Sequence, residues 1–239
     1  MQYAGKRGKL AAETPRTGSL SEYFRQSGMR TPWSFDNGYK VDAYATGPGD
    51  EYPMSPLVTA LNFLQVAYAE VGETFYCPSD FEVESTYFDC TDGDDNGLSI
   101  PEVLDAWLED GLWGNQIVAY VPINIKNLRE LTEACHTFGA IILGAEMPSV
   151  AEQQFESRES WHVTERDYDS TGGHAFIATG ANRFGMDLVT WGERHSMTWG
   201  WWEKYGSEAW AVVPELYIEA NHSSIWSLDV ASLQSDLED

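Results

Sequence analysis

Three sets of residues in this 239-residue chain have the types and spacing that chemistry needs. The first is Ser55 with His174. A serine hydroxyl becomes a nucleophile only when a positioned base takes its proton and donors hold the oxyanion that forms. Ser55 also precedes Pro56 and a run with Leu57, Leu61, Leu64 and Tyr68 on one face. That pattern reads equally well as a helix start, with Ser at the N-cap, Pro at N1 and Gly72 as the stop. The second set is Asp92-Gly-Asp94-Asp-Asn96-Gly97. Oxygen ligands at loop positions 1, 3 and 5 with Gly at 6 are the opening of a calcium loop, and calcium is the one cofactor the sequence suggests. Glu102 falls at position 11 rather than 12, so this is no EF-hand, and the segment also reads as a turn feeding a capped helix. The third set is Cys77, Cys90 and Cys135, an odd count without CxxC spacing. None stands at a helix start, and the acidic loop after Cys90 should raise its thiol pKa. His162 and His195 are isolated, and no Gly-x-Ser-x-Gly elbow, His-Glu-x-x-His, phosphate loop or dinucleotide fingerprint is present.

The elements that must position these residues follow from periodicity and punctuation. Besides the helix opening at Ser55, Ser99-Ile-Pro-Glu102 is a capping-box pattern that starts a helix over 101–110, with Leu104 and Trp107 inward. A third helix is predicted over 127–138, ended by Gly139, and short ones over 19–26 and 198–205. Strands are predicted at 116–121, 140–145, 174–179, 187–191 and 210–213. Helices early and strands late imply an α+β domain of two lobes, helical over about 51–115 and sheet over about 116–215. Residues 1–50 read as an extended arm, and 216–239 as an acidic tail whose last residues, 235–239, should fray.

Composition narrows the partners. The net charge is −24, from 14 basic and 38 acidic residues. Residues 1–30 hold six bases against two acids, so the remainder carries −28. Such a body repels nucleic acid and anionic membranes, while a basic arm suits docking on an acidic partner. Alternatively, the acidity serves solubility or a saline habitat. The first residues lack the apolar run of a signal peptide, and no segment approaches the roughly 20 apolar residues of a membrane span. A soluble protein made in the cytoplasm is the expectation. Ten tryptophans, five of them within 191–210, point to core or interface.

The stretch Thr171-Gly-Gly-His-Ala-Phe-Ile-Ala-Thr-Gly180, followed by Leu188-Val-Thr-Trp-Gly192, resembles the histidine half of papain-like cysteine proteases. In that family a Gly/Asn-His-Ala strand precedes one ending Asn-Ser-Trp-Gly. The resemblance implies a papain-like two-lobed α+β fold with an extended N-terminal arm. It places Ser55 where the nucleophilic Cys belongs, Gly49 at the oxyanion-hole Gln, His174 at the catalytic His and Val189 at the orienting Asn. Only His174 keeps its side chain.

The chain further resembles a papain-fold group encoded by tailed bacteriophages and some bacteria. The resemblance rests on Tyr3-Ala-Gly-Lys-Arg, on the segment from Asp95-Asn-Gly to Trp107, on Met197-Thr-Trp199 and on Ala209-Trp-Ala-Val212. It covers roughly residues 1–215, and Pro53-Met54-Ser55 replaces that group's Gly-Asp-Cys. It implies a catalytically degenerate domain acting as a structural or binding component of a virion (a minor capsid, decoration or fibre-associated protein), held to other capsid proteins through the arm. Two alternatives stand beside it: a hydrolase of peptide or amide bonds using Ser55 and His174, and a module that binds peptide or cell-wall fragments, with Trp191 and Trp199 as binding residues.

Overall fold

A computed structural model describes residues 20–23, 31–48, 52–165, 170–222 and 228–238. Eight helices stand among them: α1 (Ser55–Val71), α2 (Asp80–Cys90), α3 (Ile100–Glu109), α4 (Leu128–Phe138), α5 (Ala151–Glu156), α6 (Trp199–Tyr205), α7 (Glu215–Glu219) and α8 (Val230–Glu238). Seven strands form one antiparallel sheet: β1 (Phe35–Asp36), β2 (Ile117–Pro122), β3 (Ile141–Pro148), β4 (Ser170–Asn182), β5 (Gly185–Thr190), β6 (Glu193–Thr198) and β7 (Gly206–Pro214). The order is β2-β7-β3-β4-β5-β6, and β1 pairs with the far end of β4. The architecture is α+β, with α1–α3 ahead of the large sheet.

Local chemistry explains the boundaries. Ser99 accepts from the Glu102 amide while Glu102 accepts from the Ser99 amide, the reciprocal cap that the sequence pattern predicts for α3. Asn127 caps α4. Gly72 ends α1 in the left-handed conformation, which glycine adopts without a Cβ clash. At the start of α1 the expectation is corrected by one residue. The N-cap is Met54, with no side-chain cap, and Ser55 is the first helical residue.

Helix α2 and strands β1 and β6 were not expected. Ser79 and Glu82 form a complete capping box at α2, a signal present in the sequence. Strand β6, Glu-Arg-His-Ser-Met-Thr, carries too much polarity to read as a strand from pattern alone. The short helix expected over 19–26 has one described piece, a 3-10 turn at Leu20–Glu22. The acidic end expected to fray is helical through Glu238. Leu228 and Leu233 are fully buried there, Tyr23 Oη donates to Asp236 Oδ2 at 2.6 Å, and α8 packs on β2.

The core lies between α1 and the sheet. Leu57, Leu61, Phe63 and Leu64 of α1 are buried, and α1 packs chiefly against β4. This fixes the start of α1 beside the middle of β4. Residues of the arm are tied to the same helix: buried Asn62 accepts from the Ala45 amide at 2.9 Å and donates to the Ala45 carbonyl at 3.2 Å. β1 lies against Gly180, where a Cβ would come within 2.5 Å of the Phe35 carbonyl oxygen, so glycine permits this close approach. The tryptophan-rich segment is largely core. Trp201, Trp202 and Trp210 are buried, and Trp161 stacks on Trp201 with centroids 4.8 Å apart.

Candidate active site

Ser55 and His174 are brought together by the packing of α1 on β4. The Ala175 amide donates to Ser55 Oγ at 3.2 Å, across 120 residues of sequence. Ser55 makes no hydrogen bond to the His174 ring. No side-chain cap forms at the start of α1. The lone pair of the Ser55 hydroxyl is held by the strand that carries the histidine.

His174 is buried on β4, opposite Ala145 of β3. Its Nε2 lies 2.8 Å from the hydroxyl of buried Thr190. Its ring stacks on Trp191 with centroids 4.9 Å apart and planes 20° from parallel. Trp191 in turn meets Phe155 edge-on at 4.7 Å. The tryptophan covers the imidazole from one side.

Val189, the residue expected at the orienting position, does not play that part. Val189 pairs with Ile177, and directly paired residues share a face of the sheet. Ile177 is an odd number of positions from His174 along a strand that stays in regular register with β3 over this stretch, so it points to the opposite face. Thr190, one residue on, returns to the face of His174 and takes the contact. Strand parity is the signal that would have found it.

Gly49, expected at the oxyanion-donor position, lies outside the described residues. The loop expected as a calcium site folds as a turn. Tyr87 Oη donates to Asp95 Oδ1 at 3.0 Å and accepts from the Gly97 amide at 3.0 Å. Asn96 makes a long contact of 3.5 Å to Asp94. Among the described residues no group of three or more His, Cys, Asp or Glu side chains is arranged to hold a metal ion. Of this loop, Asp95 is committed to Tyr87 and Asn96 to Asp94.

No thiol takes the place of the hydroxyl. Burial raises the pKa of Cys135, whose Sγ donates to the Ala178 carbonyl oxygen at 3.4 Å. Burial and then Asp89 raise that of Cys90, and burial and then Asp80 that of Cys77. Each favours the unreactive protonated form. Of the two expected binding residues, Trp191 belongs to the His174 stack. Trp199 donates to the Asn182 carbonyl at 3.0 Å and, with Trp33, lines a separate groove of about 770 Å3.

Solved proteases share the overall fold. Xylellain, a cysteine protease from Xylella fastidiosa, is similar over 87% of this chain and 96% of its own, with a TM-score of 0.66 and 10% identity. Procathepsin B S9 from Trypanosoma congolense is similar over 89% of this chain and 91% of its own (TM-score 0.62, 14% identity). The digestive procathepsin L2 of Tenebrio molitor larval midgut is similar over 89% of this chain and 78% of its own (TM-score 0.57, 13% identity). The fold is papain-like. At these identities the likeness establishes the fold alone. No protein-family model matches the chain, and no curated protein matches it by sequence. No helix among the described residues is long and apolar enough to cross a membrane.

Proposed function

We propose that this is a papain-fold protein that binds without cutting, a catalytically degenerate domain whose site keeps its shape and has lost its nucleophile. The observation that carries this reading is that His174 Nε2 meets the Thr190 hydroxyl at 2.8 Å, where an orienting amide would be needed, while Ser55 Oγ makes no bond to the ring. A serine hydroxyl is far weaker as an acid than a thiol and depends on a base held in the right tautomer. An amide oxygen on Nε2 would fix that tautomer by accepting only. The Thr190 hydroxyl both donates and accepts, so it does not compel Nδ1 to be the proton acceptor. We place the protein in a tailed-phage particle, held to capsid components by residues 1–50. That placement rests on the sequence resemblance and on the charge contrast between arm and body.

One observation favours a second reading, a serine hydrolase. Ser55 lies in the first turn of α1, beside the strand that bears His174, and contacts of this kind can tighten when substrate binds. A serine-directed fluorophosphonate, read by intact mass on wild type, Ser55→Ala and His174→Ala, decides between the two. The expected result is no adduct on the wild type. An adduct that disappears in both variants overturns the proposal in favour of the hydrolase. The particle assignment is tested separately: replacing Lys6, Arg7, Lys9 and Arg16 by glutamate should abolish co-purification with assembled particles while the circular dichroism spectrum is kept.

A further inference from the structure

A cavity of about 350 Å3 lies away from Ser55 and His174, wrapped around β6. Phe155 and His195 line it from one face of the sheet, and Asp187 and Arg194 from the other. Arg158 and Glu193, both exposed, complete the wall. Arg194 is occupied: it pairs with Asp36 and lies over the Tyr39 ring, 3.2 Å from its centroid. Arg158, Asp187 and Glu193 make no hydrogen bond or ion pair through their side chains among the described residues. Asp187 is half-buried, so an unpaired carboxylate there is costly. Burial, then repulsion from Asp36, raises its pKa.

The backbone gives an independent sign. After α5 the Glu159 amide donates to the Gln154 carbonyl at 2.8 Å and the Arg158 amide to that of Phe155 at 2.9 Å. Arg158 sits at the left-handed position of this helix end, with φ at 57°. Glycine alone fits that seat without the Cβ penalty, so a long cationic side chain held there at a cost points to a use.

We infer that this cavity binds a small zwitterion, an α-amino acid or a dipeptide. Its carboxylate meets Arg158 and its ammonium meets Asp187. A simple anion would be repelled by the two unpaired carboxylates, and a simple cation by the arginines. A molecule carrying both charges a few bonds apart satisfies both sides. The volume stands at the lower end for small-ligand sites, which suits an amino acid or dipeptide. The inference does not rest on the fate of Ser55.

Isothermal titration with L-leucine and glycyl-L-leucine, each also as its N-acetyl and C-terminal amide form, tests it on the full chain. At least one free zwitterion should bind saturably, and both capped forms at least about 10-fold more weakly. Arg158→Gly and Asp187→Asn should each weaken it by a similar factor. Arg158→Gly should also raise Tm, because it relieves the left-handed seat, so lost binding there cannot be unfolding. Three results overturn the inference: no saturable binding of either zwitterion at about 20 mM, capped forms that bind as well as the free ones, or full binding by Arg158→Gly.

Discussion

His174 Nε2 and the Thr190 hydroxyl lie 2.8 Å apart on one face of the sheet, and Val189 turns to the other. Replacing Thr190 by valine keeps the volume and removes the hydroxyl, leaving a buried ring nitrogen without this partner. The expected loss is about 1–3 kcal/mol of stability, read by chemical denaturation. Nitrogen chemical shifts of the His174 ring should move as its tautomer balance changes. Unchanged shifts would show that the hydroxyl does not set the ring's protonation.

Ser55 occupies the first turn of α1 and receives the Ala175 amide. Both the helix terminus and that donor favour an anion at this atom. In Ser55→Cys on a Cys77→Ser background, the new thiol should react with iodoacetamide near neutral pH several-fold faster than Cys77 does in the wild type. Cys77 is the natural comparison because it is exposed and its pKa is raised. Equal or slower alkylation, followed by intact mass, would mean that the site does not stabilise negative charge, and its electrostatics would then be lost along with the nucleophile.

These two residues show where sequence reading stops. Ser-Pro followed by a helical apolar period located α1 correctly, because capping and periodicity are local. It could not show that the hydroxyl is claimed by an amide 120 residues away, so Ser55 was set at the cap instead of the first turn. His174 was legible from its Gly-Gly-His-Ala setting. Its partner was not, since the choice between residues 189 and 190 depends on strand register, which a motif aligned by letters does not contain. Strand β6 was missed for a related reason: its polar residues face a cavity at the sheet's edge, so alternation of apolar and polar types fails there.

His195 on β6 should make stability depend on pH. Burial among Phe155 and Trp161 lowers its pKa from 6.5 to about 4, and its Nε2 is buried without a hydrogen-bond partner. The folded state thus resists a proton that the unfolded chain accepts. The contribution is complete above pH 6.5, is lost as the pH falls from 6.5 towards 4, and then levels off. Its size is on the order of 2–3 kcal/mol. His195→Phe should flatten this part of the profile, so the variant gains on the wild type more at pH 5 than at pH 7.5. Carboxylates titrate in both proteins, and the difference between the two melting curves isolates the histidine. Parallel profiles would remove His195 as the cause.

The acidic end of the chain is part of the folded unit. Leu233 of α8 is fully buried, α8 packs on β2, and Tyr23 reaches Asp236. An acidic helix on a body of charge −24 works against self-repulsion, so apolar contact must hold it in place. Leu233→Ala should therefore cost about 2–4 kcal/mol in urea denaturation, and amides of β2 should exchange faster with solvent. Tyr23→Phe should cost less, about 1 kcal/mol, since it removes one part-buried hydrogen bond and keeps the ring. If both substitutions were silent, α8 would contribute nothing to the fold, and the charge of the tail would be free to act on a partner instead.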